Sequence, residues 1–418
     1  MKDRLLTIGN KLIILSTFLF AISIPTSIAL DGISAGIGLL GLMIVLLFKD
    51  YKNFPPLKPL IFLLIPEILS SLISFLKEIF KTDLNHKLTS YFVVYKTLEE
   101  NRHFLRKIIF LLSISSLILS FSVIFQAFTW QNIKHVNIHQ LSFHLNPIGA
   151  WGLLNNTLTA AGVIFLLLFL FFGFFLQYKN YYYLFISCFL IVALILTESR
   201  SYWLGSFFSF LLLSILLFKR YWKFLIAFWG IVTISTFLLF QIPNLKDRLY
   251  SITNTKTNWS NVDRLMLWKS HIKAFIYDYS TLEKLIGAGY KASDYAWKRF
   301  PESYKGIVKT EPPKNLKIHF HGGLTHNIYL KFLTKYGILG LIGYLSFWFL
   351  IFKENLKTLR THPQLLPIIS SLISCYFGFL VAGLFENNFT DSEIKYAIMF
   401  ILGLNFFIVN HKVSLLDK

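Results

Sequence analysis

Cysteine is almost missing from this chain: among 418 residues there are two, Cys188 and Cys375, each inside an apolar run. That excludes a disulfide framework and a thiolate metal site, and leaves no basis for redox chemistry. Charge is scarce too, at 15% of residues against about 25% in an average soluble domain, which excludes a soluble globule. Acidic residues are the scarcest of the charged types, 21 against 41 Lys and Arg, for a net +20. Such an excess suits anionic lipid head groups or phosphorylated substrates, and basic cytoplasmic loops also contribute to it.

Long apolar runs fill most of the chain, and 55% of its residues are hydrophobic. Eleven of them approach the ~20 residues a helix needs to cross ~30 Å of hydrocarbon: 11–30, 33–48, 57–76, 107–129, 157–176, 181–197, 202–218, 222–241, 327–352, 365–385 and 393–410. The first lacks a small-residue cleavage site and reads as a retained span. One alternating set of connectors is basic, with Lys49, Lys52 and Lys58, then Arg102, Arg106 and Lys107, then Lys179, then Lys219, Arg220 and Lys223, then Lys353, Lys357 and Arg360. Positive-inside logic places these, with Lys2 and Arg4, in the cytoplasm. Eleven spans violate the parity of that assignment, so a twelfth is expected within 83–98, where Leu88, Tyr91, Phe92, Val94, Tyr95 and Leu98 follow helical spacing. Its polarity predicts a place inside the bundle. Membrane aromatics such as Phe171, Phe172, Phe174 and Phe175 read as lipid-facing bulk, and Trp130, Trp151, Trp203 and Trp222 as interfacial belts.

The expectation is an all-α polytopic membrane protein of about twelve spans with both termini cytoplasmic. It divides into an N-terminal bundle of about nine spans (1–241), a large external loop (242–325) and three C-terminal spans (326–418). The loop holds fourteen Lys and Arg against seven Asp and Glu, and its length exempts it from positive-inside counting. Long loops in compact bundles are more often functional than spacers. Arg264, Leu267, Trp268, Ile272 and Phe275 follow helical spacing and predict amphipathic helix there. No repeat, heptad run or low-complexity tract appears.

Three residues on the external face stand out. Arg200 lies in a short break between spans, where an arginine has no topogenic use. It reads either as a partner for Glu198 or an interfacial snorkeller, or as an anion clamp, since guanidinium grips phosphate oxygens bidentately. Arg264 opens the amphipathic stretch, and the following Gly287-Ala288-Gly289 reads as a turn or as a backbone approach to phosphate. His326 stands where the loop enters the next span; a helix start favours neutral imidazole and leaves a ring nitrogen to accept a proton. His319 and His321 precede it, and His135, His139 and His144 occupy another external connector. Neither group has a Cys or a clearly placed carboxylate to complete a ligand set, so no metal is expected.

Together these features resemble the O-antigen ligase and polymerase superfamily of polytopic glycosyltransferases that use lipid-linked glycans. His326-Asn327 followed by Gly337-Ile338-Leu339-Gly340 is similar to that family's histidine motif, and Arg200 to Leu204 to the Arg-x-x-x-Leu motif of the ligases. Arg264 with Trp268, Leu285 to Gly289, and Gly383-Leu384-Phe385-Glu386-Asn387-Asn388 also fit, while Asn146-Pro147-Ile148-Gly149 is a loose version of the expected external segment. The resemblance implies a GT-C-like architecture in the bacterial inner membrane, with a periplasmic loop and active site. It implies that Arg200 and Arg264 grip the diphosphate of an undecaprenyl-linked glycan, that His326 assists the hydroxyl of a lipid A-core acceptor, and that transfer is metal-independent, inverting and cofactor-free. Membrane lipids are the remaining partners, and nucleic acid is not one. A repeat-unit polymerase or a protein O-oligosaccharyltransferase shares the donor. A lipid-linked glycan transporter is the reading from a different class, and it would need charge through the membrane midplane or paired broken helices.

Overall fold

The computed structural model describes residues 2–48, 54–75, 86–239, 241–255, 257–303 and 325–411. They are all-helical: α1 (Lys2–Ser23), α2 (Ile28–Leu47), α3 (Lys58–Phe75), α4 (Thr89–Glu100), α5 (Phe104–Thr129), α6 (Thr157–Tyr178), α7 (Tyr181–Leu196), α8 (Arg200–Leu239), α9 (Pro243–Tyr250), α10 (Trp259–Tyr277), α11 (Thr281–Ile286), α12 (Lys291–Ser303), α13 (Ile328–Thr361), α14 (Leu366–Ala382) and α15 (Ser392–His411). Among the described residues eight helices are long and apolar enough to cross a membrane, and Tyr181–Leu196 is a shorter apolar one. The protein is therefore a multi-pass membrane protein.

Two boundaries differ from the sequence expectation for local reasons. The first hairpin turns at Ile24 to Ser27, not at about 31, because Pro25 cannot continue a helix and Ser27 caps α2, its side chain accepting from Leu30 N at 3.4 Å. α8 contains both arms expected at 202–218 and 222–241. Its backbone leaves helical geometry at Tyr221 (φ −131°, ψ 23°). A straight helix would hold Phe210 and Phe228 about 27 Å apart along its axis. Their rings are 4.9 Å apart, and Trp229 Nε1 donates to Ser214 Oγ at 2.9 Å, so the chain doubles back.

The bundle is built around α6 and α15, whose residues are buried on every face. This corrects the expectation for the phenylalanines of α6. Phe171, Phe172, Phe174 and Phe175 are 0–7% exposed and form interior, with Phe172 against Phe210 and Phe228, and Phe171 against Tyr183. The expected twelfth span appears as α4, twelve residues long and about 18 Å at 1.5 Å per residue, shorter than a hydrocarbon core. It is interior as predicted, with Lys96 fully buried beside Glu100 at 2.9 Å; residues 76–85 lie outside the description.

Helices α9 to α12 gather at one end of the bundle. α10 and α12 share a small core of their own around Ala274, Tyr279, Ala288 and Ala292, fastened by Arg299 on Asp278 at 2.6 and 2.8 Å. The Arg299 guanidinium holds the Asp278 carboxyl below its ordinary value. The group docks on a break in α13, where Gly337 has φ 72°. Such a break leaves carbonyls to be capped from elsewhere. Thr334 O accepts from Ala288 N (3.1 Å) and Tyr279 Oη (3.2 Å), and Lys335 O from Gly289 N (3.0 Å) and Ser70 Oγ (3.0 Å).

Candidate functional site

The end of the bundle that carries α9 to α12 also brings together the start of α8, the entry to α13 and the exit from α14. Arg200 is the first residue of α8 and 8% exposed. Its Nη1 donates to Ser251 O (2.9 Å) and Ser251 Oγ (3.1 Å), and its Nη2 to Ser260 Oγ (3.1 Å). The guanidinium fork thus ties the segment after α9 and the first turn of α10 to a membrane helix. Glu198, two residues earlier with φ 55°, does not pair with Arg200: its backbone O accepts from Arg248 Nε at 3.0 Å, and its carboxylate stands 3.8 Å from the same guanidinium. Burial pushes the Glu198 carboxyl up, against the opposing effect of Arg248.

Arg264 lies one turn into α10, as its spacing with Trp268 predicts. Asn258 caps that helix, its side chain accepting from Asn261 N at 3.3 Å. Arg264 Nη2 reaches Glu386 Oε1 at 2.5 Å, and Trp268 Nε1 donates to Thr325 O at 2.9 Å. Arg200 and Arg264 line one cavity of ≈150 Å³ with apolar Leu204, Ile252, Leu265, Trp268 and Phe385 and polar Ser201, Thr255 and Asn261. A cavity that combines two cations with a largely apolar lining fits an anion attached to a hydrocarbon chain.

His326 is held differently from the expectation. It precedes the α13 cap, Asn327, whose side chain accepts from Leu330 N at 2.9 Å. Its own backbone is left-handed at φ 46°, a strained conformation for a residue with a side chain. Thr325 Oγ1, 2.8 Å from both Asn327 O and Asn387 Oδ1, and Asn327 N, 3.2 Å from Asn387 Oδ1, hold the turn in place. The ring faces a carboxylate and not the helix N–H groups: Nδ1 is 3.3 Å from Glu386 Oε2. A carboxylate there selects the tautomer with Nδ1–H and leaves Nε2 to accept a proton. His326 and Glu386 line a second, polar cavity of ≈380 Å³.

Glu386, 4% exposed, is the residue that site reasoning from sequence passed over. One oxygen takes Arg264, with Ser201 Oγ at 3.5 Å, and the other takes His326. The only local signal was its place in Phe385-Glu386-Asn387-Asn388, directly after an apolar helix.

Of the two readings of the glycine segment, the structure shows the turn and not the approach to phosphate. The amides of Gly287, Ala288 and Gly289 donate to Glu283 O, Thr334 O and Lys335 O, so none is free for a phosphate. Instead Gly287 (φ 90°) and Gly337 (φ 72°) let two backbones touch. A Cβ on Gly287 would fall 2.1 Å from Lys335 O, and one on Gly337 2.4 Å from Leu285 O. Of the other histidines weighed for a metal, His144 stacks on Trp130 with ring centroids 4.1 Å apart. No group of three His, Cys, Asp or Glu among the described residues is placed to hold a metal ion. His319 and His321 lie outside the described residues.

Residues 185–345, which include Arg200, Arg264, His326 and Gly337, match the family model for O-antigen ligase. No curated protein matches the chain.

Proposed function

Because the chain belongs to the O-antigen ligase superfamily, we propose that it is the ligase of lipopolysaccharide biosynthesis. It transfers a glycan from undecaprenyl diphosphate to a hydroxyl of lipid A-core at the periplasmic face of the bacterial inner membrane. In this reading residues 242–325 are the periplasmic loop, 1–241 and 326–418 are membrane bundles, and both termini are cytoplasmic. The observation that carries the proposal is the division of the site by Glu386, with two arginines and a largely apolar cavity on one side and a histidine with a polar cavity on the other.

The diphosphate binds at Arg200 and Arg264 with its polyprenyl chain against the apolar walls. The acceptor oxygen attacks the anomeric carbon from the His326 side and the bond to the diphosphate oxygen breaks. Nε2 takes the hydroxyl proton while Glu386 stabilises the imidazolium that forms. Negative charge grows on the departing diphosphate, and two arginines preorganised in a partly dehydrated site stabilise it without a divalent cation. Attack opposite the leaving group inverts the anomeric centre. The product undecaprenyl diphosphate stays in the membrane.

The test is reconstitution of purified protein with a lipid-diphosphate glycan and lipid A-core, followed by detection of the conjugate. His326→Ala should stop transfer while donor binding survives. His326→Gln hydrogen-bonds without accepting a proton, so near-normal turnover there would make the histidine an orienting group and not a base. A polymerised glycan in place of the conjugate would assign the protein to the polymerases.

A further inference from the structure

α5 and α6 are both long and apolar enough to cross a membrane, so the connector between them, 130–156, begins and ends at one membrane surface. That surface is on the side of the candidate site, since Ala150 N donates to Leu196 O at 3.0 Å, just before α8. α5 has 26 residues, about 39 Å at 1.5 Å per residue against ~30 Å of hydrocarbon, so its ends reach the head-group layer. The connector does not rise away from that level. His144 N donates to Phe128 O at 2.7 Å and Ile148 N to Ala127 O at 3.1 Å, which returns the chain to the last turn of α5.

What the connector turns outward is apolar. Ile138 is 78% exposed, Phe143 67% and Leu145 84%. Several of its polar groups are spent on one another: Gln131 Nε2 donates to Gln140 O and Gln131 Oε1 accepts from Asn137 N, both at 2.9 Å, while Asn132 and Asn137 cap short turns. A loop built to face water does the reverse, and an ordered apolar patch marks contact with a protein or a membrane. Two observations choose the membrane. The first is continuity with the lipid-facing surface. Phe110, Ile114, Ile118 and Phe121 make an exposed stripe on one face of α5, which lipid covers on a crossing helix. Phe121 stacks on Phe125 one turn further, with centroids 6.4 Å apart, and Phe128 on Phe143 at 5.1 Å, so the stripe runs off the helix end onto the connector. The second is charge. No Asp or Glu occurs between Thr129 and Thr157, where Lys134 supplies the fixed charge, so nothing in the connector repels lipid phosphate.

We propose that residues 130–147 are a membrane-surface anchor, with Ile138, Phe143 and Leu145 set among the acyl chains of phospholipid in the leaflet at this end of the bundle. The anchor also reaches the site. Asn244 N donates to Asn146 Oδ1 at 3.2 Å and Asn244 Nδ2 to Pro147 O at 2.7 Å, so the connector holds the start of α9. α9 leads to Ser251, whose carbonyl and hydroxyl accept from Arg200. The bilayer thereby helps to place the groups that orient Arg200, whichever glycan reaction the protein performs.

The experiment puts one bimane label on the full chain in nanodiscs of phospholipid brominated on its acyl chains. The exposed Cys188 is first replaced by Ala; Cys375 is buried. Labels go on Leu145→Cys, on Ile118→Cys as the lipid-facing reference, and on Asp294→Cys, exposed on α12, as the water-facing one. The label at 145 should lose its emission to the brominated lipid as the label at 118 does, and be shielded from acrylamide in the water, with the label at 294 behaving in the opposite way. A label at 145 that acrylamide quenches and brominated lipid does not lies in water, and one that neither quencher reaches is covered by protein; either result overturns the anchor. Hydrogen exchange then reads the hold on α9. In Phe143→Ser combined with Leu145→Ser, exchange within 243–250 should quicken while 157–178 stays as in wild type. Unchanged exchange in 243–250 overturns that hold. Equal acceleration across 157–178 overturns the anchor too, because the two side chains would then be packing the bundle and not the bilayer.

Discussion

Replacing Glu386 by Gln should make the proposed enzyme bind its donor more tightly and turn it over more slowly. The carboxylate sits behind Arg264, and a phosphate gripped on the far side of that guanidinium would lie roughly 8 Å from it, with like charge. At an effective dielectric constant of about 20 the repulsion is about 2 kcal/mol per unit charge. Arg264 has 15% of its side chain exposed to screening solvent, so the gain in donor affinity should be nearer tenfold than the full value. Glutamine still accepts a hydrogen bond from Arg264 but offers no charge to an imidazolium forming on His326. The catalytic rate should therefore fall by a hundredfold or so, a typical loss when general-base catalysis is disabled. Donor Kd from titration with a fluorescent polyprenyl diphosphate, and kcat from conjugate formation, read the two effects separately. If Glu386 only braces the fold, both affinity and rate fall together with the unfolding temperature. Weaker donor binding with an unchanged melting point would refute the reasoning outright.

Arg200→Lys keeps the charge but loses the fork that makes three contacts with Ser251 and Ser260; two charged hydrogen bonds of ~1.5–3 kcal/mol each should disappear. Transfer should drop strongly at normal expression and membrane insertion, and full activity in the lysine variant would remove the clamp argument. Gly337→Ala places a Cβ 2.4 Å from Leu285 O at a φ of 72°, so α11 should undock from α13, detectable as faster proteolysis within 281–303. His271 on α10 is 1% exposed, with neither ring nitrogen partnered among the described residues, and burial pushes its pKa down to about 4. The unfolded segment binds the proton at about 6.5 and the folded one only near 4, so stability is full above pH ~6.5 and falls through that window, by about 2 kcal/mol at pH 5. Hydrogen exchange of 259–277 should accelerate on acidification in wild type and not in His271→Leu.

Much of this protein follows from local pattern. Run length and hydropathy determined where the helices lie, because crossing hydrocarbon demands long apolar segments whatever packs around them. Helical spacing in 264–275 determined α10, and the residue types Arg200, Arg264 and His326 marked the candidate site. Which face a wholly apolar helix such as α6 turns inward was not legible, since lipid tails and a protein interior are equally apolar and select no periodicity. The hydrogen bonds that occupy the amides of Ala288 and Gly289 belong to a helix break 46 residues away. Glu386 likewise acquires its place only by meeting Arg264, 122 positions earlier, and His326, 60 earlier. Tertiary structure alone decided these pairings, because a buried carboxylate is tolerable only where folding delivers its cation and its donors, and no spacing along the chain records that meeting.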